Sequence, residues 1–221
     1  MLKNIIFDLD NTIIRDYDEY AERYKIVLRK YGYDEEKSKE LYDLIGKYDY
    51  FYTDDNYYYD INEMTDYINN LMHQNYSVKF MNDLMDFIGE QWIDDVIMDE
   101  NILKKLSVKY NLFIFSNFYE RTQVRRMEKI GYLKYFKKIY CADKFGRKQS
   151  KKAFEEILKD IGTTADECIF IGDTKETDIL AANNVGMRAI LFDYNGKRDT
   201  KNVELNNYIV IHNLDELLEI L

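Results

Sequence analysis

Short apolar runs that end in polar residues recur along the chain and predict buried strands. The first covers residues 3–7 and leads directly into acidic residues. Similar runs follow at residues 112–115, 138–141, 167–171 and 188–192. Their length and their lack of polar alternation are typical of strands that are covered on both faces of a parallel sheet. Residues 208–211 and 214–221 close the chain.

Between these runs the apolar residues follow helical spacing. One helix is predicted over residues 121–130 and ends at Gly131, and another over residues 151–161 ends at Gly162, because glycine readily takes the left-handed conformation that closes a helix. A third helix is predicted over residues 177–184. Repeated strand–helix units favour right-handed crossovers, so the predicted fold class is α/β, with a doubly wound, Rossmann-like parallel sheet.

Between residues 17 and 92 the pattern changes to helical spacing alone. Tyr20, Tyr24 and Leu28, for example, lie four residues apart, as on one face of a helix. Three or four helices are predicted here, with a loop near residues 53–56 and no strand. The block interrupts the sheet after its first strand, so it is predicted to be an inserted all-helical cap domain. The predicted boundaries are residues 1–15 and 96–221 for the Rossmann-like core and 16–95 for the cap.

Polar residues that could carry chemistry stand directly after several predicted strands. Ligands of parallel sheets bind at the carboxyl ends of the strands, so these residues are expected to meet at one edge. Lys148 lies just ahead of a predicted helix and is added to this set. The candidates are Asp8, Asp10 and Thr12 after the first strand, Ser116 and Asn117 after the second, Lys148, and Gly172, Asp173 and Asp178 after the run at 167–171.

Each candidate by itself has an ordinary structural explanation. Asp8 and Asp10 could cap a turn, Ser116 could be a loop residue, Lys148 could be solvated, and Asp173 could cap the next helix. Their joint occurrence in this order, each at the end of a predicted strand or the start of a helix, favours an active site over a set of coincidences.

Composition narrows the class of protein. With 46% hydrophobic and 33% charged residues, the chain can form a packed core and disorder is not expected. No apolar run approaches the ~18 residues of a membrane span, and the N-terminal sequence is no signal peptide. The two cysteines, Cys141 and Cys168, lie in apolar runs, as is typical of core residues in a reducing compartment. We therefore expect a cytoplasmic protein without a membrane partner, and make no prediction of its oligomeric state.

Charge is distributed unevenly along the chain. The formal net charge of −10 argues against a nucleic-acid partner. Residues 121–152, however, contain twelve basic and two acidic residues, a local charge of +10. This basic strip is either a solvated helical surface or a surface that faces the acidic insert and attracts an anionic substrate.

The four motifs, in this order, resemble those of the haloacid dehalogenase superfamily. The resemblance covers residues 2–16 and about 101–192, and the helical insert lies where that family places its first-type cap. It implies a phosphohydrolase in which Asp8 attacks phosphate and forms an aspartyl-phosphate intermediate, while Asp10 acts as general acid and base. It also implies a Mg²⁺ cofactor held by Asp8, Asp173 and the backbone carbonyl of Asp10.

The remaining site residues receive their roles from the same resemblance. Ser116 and Lys148 are expected to donate hydrogen bonds to the phosphoryl oxygens, with Thr12 and Asn117 in the same substrate-binding group. Asp178 is expected to orient Lys148 or a metal-bound water, and Gly172 to support it. The family usually has proline after the lysine, whereas this chain has Gln149, so Lys151 stays an alternative to Lys148.

The implied activity is hydrolysis of a small phosphorylated metabolite, either a nucleoside monophosphate or a sugar phosphate. The run from Ser116 to Phe118 with Arg121, and the turn at Gly131, are similar to the branch of 5′-nucleotidases, N-acylneuraminate-9-phosphatases and phosphoglycolate phosphatases. Four alternatives are a phosphomutase, a haloacid dehalogenase, a receiver-type switching module and a non-catalytic phospho-binding module. The order of the motifs along the chain argues against the receiver, and the presence of all the catalytic positions argues against the non-catalytic module.

Overall fold

The computed structural model describes residues 1–15, 28–50, 53, 57–91, 95–194, 196 and 207–221. The predicted helix positions Tyr20 and Tyr24, and residues 54–56 of the predicted loop, lie outside these ranges. Within them, no helix combines the length and the hydrophobicity that a membrane span requires.

Six parallel strands form the central sheet, and the first strand lies in its interior. Parallel neighbours cannot be joined by a tight hairpin, so each connection between them is a long crossover, which is usually helical. The sheet confirms the predicted α/β fold with a parallel, doubly wound sheet. Its spatial order is β5 (Phe136–Cys141), β4 (Asn111–Ser116), β1 (Asn4–Phe7), β6 (Cys168–Gly172), β7 (Arg188–Phe192) and β8 (Tyr208–Ile211).

Both faces of the sheet are buried. Ile5 and Phe7 of β1 belong to one hydrophobic core, and Ile6 belongs to another core on the opposite face. Successive side chains of a strand point to opposite faces, so a strand between two cores needs apolar residues at every position. This requirement explains the uninterrupted hydrophobic run that marks β1 in the sequence.

The segment between β1 and β4 contributes three long helices that share a hydrophobic core, to which Phe118, Tyr119 and Ala142 also contribute. Leu41, Met64 and Leu84 are fully buried in it. The second helix begins at Asp60, whose carboxylate accepts hydrogen bonds from two backbone N–H groups of the first turn. The division of the chain into a core domain and a cap domain stays a prediction. The three helices are α1 (Glu35–Tyr50), α2 (Ile61–Met72) and α3 (Val78–Gln91).

The remaining helices accompany the sheet. Gly131 and Gly162 have φ angles of 76° and 74°, so both take the left-handed conformation predicted for helix ends. The predicted helix at 177–184 differs from the structure, where a π-helical turn (Lys175–Ile179) precedes a short α-helix. These helices are α4 (Glu100–Lys109), α5 (Glu120–Lys129), α6 (Ala142–Phe145), α7 (Lys151–Ile161), α8 (Leu180–Asn184) and α9 (Leu217–Ile220).

Two short strands lie where the chain leaves and re-enters the sheet region. β2 (Ile14–Arg15) pairs antiparallel with β3 (Asp95–Val96). Strands of two residues are too short to show a period in the sequence, so hydrophobic patterning does not reveal them. Their pairing holds the two connections to the inserted helices side by side.

The basic strip does face the acidic insert at α5. Arg121 forms an ion pair with Asp86 of α3, and Arg125 Nη1 lies 3.3 Å from Glu90 Oε1. Further along the strip, Lys152 pairs with Glu156 of its own helix. Much of the positive charge is therefore balanced locally, and the contacts join α3 to α5.

Candidate active site

The carboxyl ends of the three central strands place four of the predicted residues at one edge. Asp8 follows β1, Ser116 ends β4, and Gly172 ends β6 directly before Asp173. The strands are in matched register, because Phe7 lies opposite both Ile114 and Ile171. The Asp8 backbone N–H continues this pairing with a 2.8 Å hydrogen bond to the Ile171 carbonyl.

Three carboxylates converge beside this edge. One carboxylate oxygen from each of Asp8, Asp173 and Asp178 lies within 4.8 Å of the other two. All three residues are at most 5% exposed. Burial raises the pKa of the Asp8 carboxyl well above its ordinary value, and the charges of Asp178 and Asp173 add to the rise against the opposing effect of Lys148. Such a cluster is stable only when positive charge is supplied close to it.

Lys148 supplies one positive charge. Its Nζ donates to Asp8 Oδ1 at 2.6 Å and to Asp178 Oδ1 at 2.7 Å, in buried surroundings. Burial by itself disfavours the ammonium, but the carboxylates of Asp178 and Asp8 outweigh burial and raise the pKa of Lys148. Lys151, the alternative considered above, lies on the surface and pairs with Glu155 at 3.5 Å. The geometry thus brings Lys148 and not Lys151 to the acidic cluster.

Asn117 positions the segment that carries Lys148. Its Oδ1 accepts a 2.8 Å hydrogen bond from the Lys148 backbone N–H, and its Nδ2 donates to Gln149 Oε1 at 3.1 Å. The Asn117 amide in the structure therefore bonds the lysine segment, whereas the sequence placed it among the substrate-binding residues. Thr12 is fully buried, and its hydroxyl has no hydrogen-bond partner among the described residues.

The Asp10 carboxylate is held by side chains of α5. Asn11, with φ 58°, turns the chain immediately after it. Arg126 Nη2 donates to Asp10 Oδ1 at 2.8 Å, and Gln123 Nε2 donates to Asp10 Oδ2 at 3.3 Å and to the Ser116 hydroxyl at 2.8 Å. One face of α5 thus holds the side chains of both Asp10 and Ser116.

The last turn of α1 brings another carboxyl towards this edge. Burial raises the pKa of Asp49 to about 7 against the opposing effect of the Arg147 guanidinium, and the charge of Asp10 adds to the rise. Arg147 precedes Lys148 in the chain and is fully buried. Both residues lie beside the groups described above.

Four polar residues near this edge did not emerge from the sequence: Asp49, Gln123, Arg126 and Arg147. Gln123 and Arg126 are three residues apart on α5 and point to the same side. The available signal was their helical spacing with Met127 and Ile130, which places two polar residues on the apolar face of the predicted helix at 121–130. No pattern in the sequence indicates that Asp49 would reach the sheet edge.

Gly172 is required by the packing of Asp178. A Cβ atom at position 172 would lie 2.4 Å from Asp178 Oδ2. We therefore expect Gly172→Ala to displace the Asp178 carboxylate from Lys148 and to lower the free energy of unfolding by about 1–3 kcal/mol, as overpacking of a dense interior does. Chemical denaturation measures this change.

The matched control for Gly172→Ala is Gly46→Ala. Gly46 lies inside α1, and a Cβ atom there meets nothing within 4 Å. Alanine favours a helix over glycine by about 0.5–1 kcal/mol, so this variant is expected to be more stable than the parent. Equal responses of the two variants would contradict the packing argument for Gly172.

The chain is similar in sequence to a protein family and to curated proteins. A profile of the family described as haloacid dehalogenase-like hydrolase matches residues 5–192. A glyceraldehyde 3-phosphate phosphatase from Pyrococcus furiosus is 35% identical over 104 residues, which are 44% of this chain and 43% of that protein. The chain spans about half the length of the curated relatives it matches.

Two solved structures have the same fold over the whole chain. The HAD-hydrolase YfnB from Bacillus subtilis, bound to magnesium, superposes with a TM-score of 0.69 at 18% identity and covers 99% of this chain and 98% of its own. The 2-haloacid dehalogenase from Pseudomonas syringae gives 0.74 at 20% identity, with 100% and 98% covered. At such identities the likeness establishes the fold alone.

Proposed function

The chain belongs to the haloacid dehalogenase-like hydrolase family, and from this premise we propose that it is a magnesium-dependent phosphatase of small phosphorylated metabolites. The observation that carries the proposal is the buried group of Asp8, Asp173 and Asp178 with Lys148. Three buried carboxylates that converge on one place form a set of oxygen ligands suited to a divalent cation.

The residues present fit a hard divalent cation. Carboxylate oxygens are the ligands that Mg²⁺ prefers, and Asp8 and Asp173 offer them from the ends of adjacent strands. The backbone carbonyl of Asp10 would complete the set of protein ligands. When bound, the ion supplies positive charge that screens the phosphoryl oxygens from the Asp8 carboxylate.

Asp8 is the proposed nucleophile. Its carboxylate attacks the phosphorus atom of the ester in line with the leaving oxygen and forms an aspartyl phosphate, which water then hydrolyses. Lys148 holds one Asp8 oxygen through the 2.6 Å contact and so leaves the other for attack.

Asp10 is the proposed general acid and base. It protonates the leaving oxygen and later takes a proton from the water that attacks the aspartyl phosphate. In the structure its carboxylate is held by Arg126 and Gln123. These two residues act as positioning residues that hold Asp10 next to Ser116.

Hydrogen-bond donors around Asp8 would bind the phosphoryl oxygens. Ser116 and Lys148 are the proposed donors, and a third is the Thr12 hydroxyl, which no other described residue engages. Donors fixed in advance stabilise the charge that develops on these oxygens in the transition state, because no rearrangement is needed at that moment. Asn117 supports them by holding the Lys148 backbone.

The substrate is proposed to be a sugar phosphate. The name of the Pyrococcus furiosus relative, glyceraldehyde 3-phosphate phosphatase, supports a sugar phosphate over the nucleoside monophosphate considered from the sequence. A haloacid dehalogenase is disfavoured because the expulsion of a halide requires no metal ion. The three buried carboxylates, in contrast, are suited to binding a cation. A cytoplasmic location is part of the same proposal.

Removal of the metal tests the proposal. Phosphate release from p-nitrophenyl phosphate is expected to fall at least about a hundredfold in EDTA, because a bound cation contributes several kcal/mol of charge stabilisation. Added MgCl₂ in excess of the chelator should restore the rate. Hydrolysis at the full rate in EDTA would contradict the proposal, and phosphate transfer to a second sugar in place of release would indicate a phosphomutase.

A further inference from the structure

The C-terminal end of α1 reaches the region of the proposed catalytic groups at Asp49. The charges of Arg147, Asp10 and Lys148 all act on the Asp49 carboxyl. Arg147 precedes Lys148 in the chain and bonds the backbone carbonyl of Asp49, so Asp49 lies near the proposed catalytic groups at the end of α1.

Arg147 is fixed in place beside Asp49. Its guanidinium carbon lies 5.0 Å from the centroid of the Tyr48 ring and 4.7 Å from that of Tyr59. Its Nη1 donates to the backbone carbonyl of Asp49 at 2.6 Å. Stacking on aromatic rings and a bond to a helix end leave the guanidinium little freedom to turn.

Three polar atoms of this pair are buried without a hydrogen-bond partner among the described residues: Asp49 Oδ1, Arg147 Nε and Arg147 Nη2. Buried polar atoms of native proteins are nearly always paired, since an unpaired one is destabilising. A molecule bound next to the catalytic centre would supply the hydrogen-bond partners for this acceptor and these two donors.

We propose that Asp49 and Arg147 bind the leaving group of the substrate and select one that carries hydroxyl groups and no charge, such as a sugar or a polyol. This inference rests on the proposed phosphatase function. A hydroxyl of the leaving group donates to Asp49 Oδ1, and a neighbouring hydroxyl or carbonyl oxygen accepts from Arg147 Nε or Nη2.

Charge favours an uncharged leaving group over a second phosphate or a carboxylate. The Arg147 guanidinium bonds the backbone carbonyl of Asp49, and the charges of both Arg147 and Asp10 act on the Asp49 carboxyl. Above its pKa of about 7, the Asp49 carboxyl is ionised and its charge cancels that of Arg147. The pair then offers no net positive charge to an anionic group, whereas its hydrogen-bonding atoms suit a neutral one.

Two esters with the same three-carbon chain test the inference. Glycerol 1-phosphate and propyl phosphate differ only in two hydroxyl groups. The wild-type protein with MgCl₂ is expected to show a kcat/KM for glycerol 1-phosphate that is at least about tenfold higher, since unpaired polar atoms of a site discriminate against a ligand that lacks the partner groups. Equal values would overturn the inference without any variant.

Asp49→Ala removes the acceptor and is expected to lower the ratio of the two kcat/KM values about tenfold, whatever the absolute rates. Asp43→Ala is the matched control, because Asp43 lies on the exposed side of the same helix. It should leave the ratio unchanged. An unchanged ratio in Asp49→Ala would overturn the inference.

A third ester tests whether Asp49 and Arg147 prefer a leaving group that carries a negative charge. In 3-phosphoglycerate a carboxylate replaces one hydroxymethyl group of glycerol 1-phosphate, and its kcat/KM is expected to be lower. A preference for 3-phosphoglycerate would overturn the inference. Failure to release phosphate from p-nitrophenyl phosphate would instead contradict the proposed function, so the two failures are separable.

Discussion

Replacing Asp8 with asparagine is expected to lower kcat for p-nitrophenyl phosphate at least about 10⁴-fold, because loss of a nucleophile removes the covalent route altogether. The amide has nearly the same size as the carboxylate, so the site keeps its shape. The contact of position 8 with Lys148 can persist through the amide oxygen. Steady-state phosphate release measures the change.

Folding of the Asp8→Asn variant is tested separately from its activity. The substitution removes one of three clustered carboxylates, and the raised pKa of Asp8 indicates that its charge is unfavourable in the folded state without metal. In metal-free buffer, the free energy of unfolding of the variant should therefore equal or exceed that of the parent. Asp43→Asn, on the exposed side of α1, serves as a control with the same chemical change. A variant at position 8 with full turnover would contradict the proposed nucleophile.

Replacing Lys148 with methionine is expected to affect both activity and stability. Without the ammonium, the buried carboxylates of Asp8 and Asp178 lose their 2.6 and 2.7 Å partners. Removal of one partner from a buried ion pair typically costs about 3–5 kcal/mol, and loss of a donor to the phosphoryl group costs about 10²–10³-fold in kcat. Denaturation in EDTA and turnover in MgCl₂ measure the two effects.

The control for Lys148→Met is Lys151→Met. Lys151 is exposed and pairs with Glu155, an interaction that contributes little. This variant should retain activity and stability within a factor of about two. If Lys151→Met lost activity and Lys148→Met did not, the motif lysine would be Lys151 and the proposed geometry would be wrong. Added Mg²⁺ should restore part of the stability of Lys148→Met, because the ion replaces the missing positive charge.

The sequence was sufficient to predict the parallel sheet and the edge at which the candidate residues meet. Strands buried on both faces consist of apolar runs, and parallel strands bring their carboxyl ends together, so Asp8, Ser116 and Asp173 could be placed at one edge from order alone. Glycines at 131 and 162 marked helix ends, since few other residues take positive φ without strain.

Local pattern was insufficient for the short elements. The two-residue strands β2 and β3 contain no period, and the π-helical turn at Lys175–Ile179 is set by packing. Close contact between Gly172 and Asp178 belongs to that packing, because the turn carries the Asp178 carboxylate against the end of β6. Hydrophobic spacing describes which face of an element is buried, not how tightly a turn is wound.

The sequence was thus sufficient to propose the reacting groups, whereas only the tertiary structure decided which residues contact them. The positions of residues that directly follow strands are set by the regular geometry of the backbone in a parallel sheet. Arg126 and Gln123 reach Asp10 and Ser116 because α5 packs at one particular angle, and Asp49 reaches Arg147 because α1 ends there. Such contacts depend on the relative positions of elements distant in the chain, and those positions follow from side-chain packing that no local pattern records.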